Sequence, residues 1–183
     1  MARLDSICRR ARDPRVAAAG VDTPVVDEVA EVLGWAVYDD DADTVRRLLA
    51  GGADPNGVDD DDIPFMETAV SRCSSGALRV LVEYGGRLDG TTGGRRPLLY
   101  CLVAGGDLRT MLPVLVELGA DVRQPLNSHG WTALHFAAAY GDMRSARLLL
   151  DAGADPAART LNGLTPADMA MGNGHHDVAW RCR

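Results

Sequence analysis

Lysine is absent from this chain of 183 residues. All 19 basic residues are arginines, and 21 of the 26 acidic residues are aspartates. That usage, in a chain rich in Ala and Gly, reflects GC-rich coding and points to a bacterial source. Aromatic residues make up only 5%. The core must therefore be built mainly of Leu, Val and Ala, which suits thin, closely stacked helices. No apolar run approaches the roughly 18 residues of a spanning helix. Met1 to Arg10 lacks a long apolar stretch after its basic residues, so no secretory signal is expected. Cys8, Cys73, Cys101 and Cys182 are scattered without CxxC pairs and read as reduced thiols of a cytoplasmic protein. A formal net charge of −7 disfavours nucleic acid and favours basic protein partners.

Catalytic chemistry is equally thin. No Ser or Cys lies in a recognisable nucleophile motif. His175, His176 and Cys182 lack a fourth ligand and paired spacing, so no metal site is expected. The Gly90–Arg96 stretch is glycine-rich and basic, but it lacks the strand–loop–helix context and Gly-Lys-Thr ending of a phosphate loop. No cofactor is implied.

A motif that returns in register is what the chain does have. Gly52-Ala53-Asp54-Pro55-Asn56 recurs as Gly119-Ala120-Asp121-Val122-Arg123 and as Gly153-Ala154-Asp155-Pro156-Ala157, with a degraded copy at Gly85-Gly86-Arg87-Leu88-Asp89. Their first residues are 33, 34 and 34 apart, a period of stacked units that cannot bury their apolar faces alone. The clearest unit reads as two short helices. Leu134, Ala137 and Ala138 share one face of the first, and Ala146, Leu149 and Leu150 share one face of the second. A glycine at 153 stops the pair.

Thr132-Ala133-Leu134-His135, then Ala137-Ala138, Gly141-Asp142, an apolar helix and Gly153-Ala154-Asp155 resemble the ankyrin repeat almost throughout. The resemblance covers about residues 29–180 and implies an all-α solenoid of helix-turn-helix units with β-turn fingers. An N-terminal cap or arm is expected at residues 1–28, followed by units at about 29–56, 57–89, 90–123, 124–157 and 158–183. Gly34 and Glu67 replace the motif histidine in the first two units, and Asp168 replaces it in the last. The third unit carries an insertion around Gly105 to Thr110. Thr110 as N-cap would place Pro113 in the first turn of a helix, where proline is tolerated.

In that family the fingers and first helices line a concave, partner-binding face, and His135 is a structural residue. Carried over position by position, the face comprises Tyr38 and Asp39 in unit one and Asp60, Asp61, Ile63 and Arg72 in unit two. Arg95 represents unit three, Ser128, His129, Trp131 and Tyr140 unit four, and Leu164 unit five. Trp131 is the first candidate for an energetic anchor, against a reading in which it only packs on its neighbours. Trp35 aligns with Phe136 and is expected in the core. Two acidic runs, Asp39–Asp41 with Asp43 and Asp59–Asp62, are either a docking surface for a basic partner or solvated loops. The expected function is a non-catalytic, cytoplasmic adaptor or inhibitor that binds protein and neither nucleic acid nor membrane; the sequence does not fix its oligomeric state, and a monomer is favoured. The alternative is an immunity-type protein that neutralises a basic toxin such as a nuclease; an enzyme is the least favoured class.

Overall fold

A computed structural model of the chain describes residues 24–59, 61–89, 98–105 and 108–182, with side chains described from residue 28 onward and outside 103–108. Most of the expected arm at 1–28 falls outside these residues. Among the described residues are ten α-helices and no strand, only an antiparallel bridge between Val58 and Pro64. They fall into two compact units that meet in sequence at Arg87 and Leu88.

The first unit holds α1 (Pro24–Tyr38), α2 (Ala42–Ala50), α3 (Phe65–Ser71) and α4 (Ser75–Glu83). Pro24 is the first residue of α1, where the fixed φ of proline suits a helix and its missing N–H costs nothing. Helix α1 buries Val29, Leu33, Ala36 and Val37, a stripe at i, i+4, i+7 and i+8. It packs on α2 and α3, and α4 packs on α2 and α3. Phe65, Leu48, Leu78 and Leu81 complete this core.

The second unit holds α5 (Leu98–Gly105), α6 (Leu108–Glu117), α7 (Ala133–Ala139), α8 (Met143–Asp151), α9 (Pro166–Gly172) and α10 (His176–Arg181). First helices stack in the order α5, α7, α9 and second helices in the order α6, α8, α10. Ala137, Ala138, Ala146 and Ala170 are fully buried, so small side chains let neighbouring hairpins approach closely. Pro113 departs from expectation. Helix α6 begins at Leu108 rather than after Thr110, which puts Pro113 inside the helix. Its ring offers no N–H to the carbonyl four residues back.

The recurring motif has a local physical cause. Gly52, Gly85, Gly119 and Gly153 end the second helices with φ of 101°, 94°, 88° and 88°. The following aspartate then turns the chain. Asp54, Asp121 and Asp155 accept from the N–H groups of Asn56, Arg123 and Ala157 at 2.9, 3.0 and 2.9 Å. The residue two beyond the aspartate bridges to the next repeat: Asn56 Nδ2 donates to the Gly85 carbonyl at 3.1 Å, and Arg123 Nε to the Gly153 carbonyl at 2.8 Å.

Helix starts are closed by short side chains. Asp41 accepts from the Thr44 hydroxyl at 2.6 Å and the Thr44 N–H at 3.1 Å; these bonds hold its carboxyl below the usual carboxylate value. Burial pushes the Asp142 carboxyl up, but the Ser145 hydroxyl at 2.8 Å and the Arg109 guanidinium at 3.1 Å outweigh that and leave it lowered. Thr165 and Asp168 close a reciprocal capping box on α9. His135 closes the equivalent box on α7, which explains why an aspartate replaces it one repeat later. Its Nδ1 accepts from the Thr132 N–H at 3.2 Å and the Thr132 hydroxyl at 2.9 Å. Its Nε2 faces the Leu164 carbonyl at 3.1 Å, so the proton sits on Nε2. The ring is fully buried, and that burial lowers its pKa from 6.5.

Two tests of stability follow from this geometry. The unfolded chain binds a proton at His135 near pH 6.5, whereas the folded chain resists it, so stability is full above that pH and falls as pH drops toward the lowered value. Chemical denaturation at pH 7.5 and 5.5 should show that loss, and His135→Gln should shrink it. Gly52→Ala should cost about 1–2 kcal/mol through positive φ alone, because no heavy atom lies near the new Cβ. Gly141→Ala should cost more in the same measurement, because its φ is 69° and the new Cβ would lie 2.5 Å from His175 Nδ1.

Candidate functional site

Helices α1 and α3 and the finger that joins α2 to α3 enclose a groove of about 420 Å³ in the first unit. The helical period builds one wall. Glu31, Trp35 and Tyr38 fall on the face of α1 opposite the buried stripe of Val29, Leu33, Ala36 and Val37. Helix α3 contributes Glu67, Thr68 and Ser71, with Arg72 just beyond its end. The finger contributes Asp59, Asp61 and Ile63.

The finger is held by one carboxylate. Asp59 Oδ1 accepts from the N–H groups of Asp61 at 3.0 Å and Ile63 at 2.9 Å. Asn127 does the same work in the second unit, accepting from His129 at 3.0 Å and Trp131 at 3.1 Å. The absence of a side chain at Gly34 lets the finger approach α1: a Cβ there would lie 3.3 Å from the Asp59 Cβ. Gly34, which stands where the repeat motif has histidine, thus shapes the groove.

The aromatic wall is ordered internally. The Arg72 guanidinium lies 3.9 Å from the centre of the Tyr38 ring, a cation–π contact. Trp35 meets Tyr38 edge to face, with ring centres 6.0 Å apart. The Ser74 hydroxyl reaches the Tyr38 carbonyl at 3.5 Å. Trp35 is not in the core as its alignment with Phe136 suggested; it is 62% exposed, whereas Phe136 is buried. The physical reason is register. Residues 33, 36 and 37 supply the buried stripe of α1, and position 35 falls on the other side of the helix. The stripe of apolar residues from Val29 to Val37 was the available signal, and it outweighs a motif alignment.

Four residues expected on the binding face, Tyr38, Asp61, Ile63 and Arg72, come together in this groove. Asp39 is exposed beside it but does not line it, and Asp60 lies outside the described residues. Three aspartates of the acidic runs are committed to the backbone. Asp40 Oδ1 accepts from the Ala77 N–H at 2.8 Å, Asp41 caps α2, and Asp59 holds the finger.

In the second unit Ser128 and His129 are exposed on a finger, and the His129 carbonyl accepts from the Leu161 N–H at 2.9 Å. Trp131 is half-buried with its ring 4.8 Å from Phe136, so part of its surface is spent on packing. Tyr140 and Leu164 are exposed, at 66% and 43%. Arg95 lies outside the described residues. His175 packs against Gly141, and His176 Nδ1 lies 3.4 Å from the Met171 sulfur. Among the described residues no group of three or more His, Cys, Asp or Glu converges as a metal site, and no helix is long and apolar enough to cross a membrane.

Comparison with known proteins adds sequence evidence to this geometry. A family model for three consecutive ankyrin repeats matches residues 33–125, and one for a single ankyrin repeat matches residues 129–161. The chain is 25% identical to the E3 ubiquitin-protein ligase KEG of Arabidopsis thaliana over 75% of this chain and 11% of that protein. It is 42% identical to the ARF GTPase-activating protein GIT1 of Homo sapiens over 45% of this chain and 11% of that protein. It is 44% identical to the potassium channel AKT3 of Oryza sativa subsp. japonica over 37% of this chain and 8% of that protein. The chain thus spans about a tenth of the length of these curated relatives.

The exposure of Trp35 makes a stability prediction. Trp35→Ala should lower the unfolding free energy by less than about 1 kcal/mol, as for other surface positions. Leu33→Ala, two residues away on the buried face, should cost about 2–5 kcal/mol in the same urea titration.

Proposed function

The chain belongs to the ankyrin-repeat family, and from that premise we propose that it is a cytoplasmic adaptor or inhibitor that holds a protein partner in the groove of its first unit. Ankyrin repeats are interaction modules that act by occupancy and are generally non-catalytic. The observation that carries the choice of site is the pair of exposed aromatic rings, Trp35 and Tyr38, on the wall of a concave groove. Rigid aromatic side chains of this kind bury much area at low entropic cost and are enriched among interface residues that dominate affinity. The surroundings pre-organise them: Arg72 and Trp35 bracket Tyr38, and the Asp59 carboxylate fixes the opposing finger. Trp131, Tyr140, Ser128, His129 and Leu164 offer further contact surface in the second unit.

A second reading has support from the same place. Glu31, Asp59, Asp61 and Glu67 line the groove, and a carboxylate-rich surface suits an immunity-type protein that covers a basic toxin such as a nuclease. Under that reading a toxin-like gene neighbours this one, and the purified chain blocks its product.

Capture of partners from a native lysate by the tagged chain, followed by titration calorimetry on the partner recovered, tests the site. Trp35→Ala should weaken binding by about 2 kcal/mol, close to thirtyfold. A partner that binds Trp35→Ala and Tyr38→Ala as tightly as the native chain would place the interaction elsewhere.

A further inference from the structure

The lining of the groove is unequal in charge beyond what protein binding in general requires. Four carboxylates, those of Glu31, Asp59, Asp61 and Glu67, line it against one guanidinium, that of Arg72. Arg72 is engaged with the Tyr38 ring, and Asp59 is engaged with the backbone of its own finger. Glu31, on α1, and Glu67, on α3, therefore stand on two walls of the same cavity without sharing it with a second basic side chain among its lining residues. Like charges held around one concavity repel in the free protein, and an incoming cation relieves that repulsion.

The aromatic wall favours the same guest. Trp35 lies one helical turn after Glu31 on α1 and is 62% exposed, so an indole surface is open beside a carboxylate. Indole is the strongest of the aromatic cation acceptors. The groove already shows the mode of recognition internally, since the Arg72 guanidinium rests on its neighbour Tyr38 at 3.9 Å. The volume of about 420 Å³ sits toward the small end of the range of roughly 300–1,000 Å³ for ligand pockets. It fits a short extended segment better than a helix or a domain face. Phosphate groups are disfavoured by the carboxylates, which sets nucleic acid aside.

We propose that this groove is a receptor for an arginine or lysine side chain carried on an extended segment of a partner protein. The cation sits among the Glu31 and Glu67 carboxylates and the Trp35 indole, and an aliphatic neighbour in the segment packs on Ile63. This deepens the protein-binding reading and rests on it. It also sets the direction of salt dependence: affinity falls as ionic strength rises, because the carboxylates are solvent-accessible.

A displayed library of random heptapeptides, selected on the full chain, tests the assignment. The best sequences are then made as synthetic peptides and titrated by fluorescence anisotropy against the native chain, Trp35→Ala and the double variant Glu31→Gln/Glu67→Gln. Circular dichroism checks that each variant remains folded, and glutamine keeps the shape of glutamate while removing its charge. The expected result is enrichment of Arg- or Lys-containing peptides whose binding weakens at least tenfold in the glutamine variant and in Trp35→Ala, and weakens between 50 and 300 mM salt. Uncharged or acidic peptides that lose affinity in Trp35→Ala overturn the cation assignment and leave the groove as a protein-binding site. Basic peptides that bind the glutamine variant with native affinity do the same. Peptides indifferent to Trp35, or no enrichment over an unrelated control protein, overturn both readings.

Discussion

Hydrogen bonds that short polar side chains accept from nearby backbone N–H groups are the interaction on which each repeat depends. Apart from α1, the helices are only six to ten residues long, too short to be stable alone in water. They persist because neighbours pack on them and because their ends are closed. Asp41, Asp142 and Thr165 cap helices, Asp54, Asp121 and Asp155 turn the chain after them, and Asp59 and Asn127 hold the fingers. An aspartate surplus that looks like an acidic surface is in part a set of backbone ligands. Their charge remains, but their geometry is already committed.

That constraint also explains how degraded repeats keep the same backbone. Gly141 and Gly174 take left-handed conformations between paired helices, with φ of 69° and 80°. At the matching turns of the first unit, Asp40 and Cys73 adopt φ of 56° and 59° without being glycine. Asp40 recovers part of the strain by accepting from the Ala77 N–H. Sequence identity to the repeat motif is lost at these positions while the turn is retained. The first unit departs from the motif in other ways too, as in Gly34 admitting the finger and Trp35 facing outward from α1.

Legibility followed the range of the forces involved. The repeat period, the all-α class and the structural role of His135 were readable in sequence, because Thr-x-x-His, the paired alanines and Gly-Ala-Asp act within one turn or between adjacent turns. Tyr38, Asp61, Ile63 and Arg72 were nameable one repeat position at a time. What could not be read was the pairing of Arg72 with Tyr38, two residues 34 positions apart in the chain, or the commitment of Asp40 to a helix in the next repeat. The start of α6 was also misjudged. Its N-terminus is set at Leu108 although Pro113 then falls inside, and tertiary burial of Met111, Leu112 and Leu115 accompanies that choice.

The sequence by itself determined the surplus of negative charge, which is composition alone, and the period, the helical hairpin and the turn chemistry, which arise from contacts between residues close in the chain. Only the tertiary structure decided that Trp35, on the outer side of α1, is left 62% exposed and that Glu31, Glu67, Ile63 and Arg72 border one groove. Burial is a competition among faces of a helix, and its outcome depends on the neighbouring helices that cover one face and leave the other to solvent.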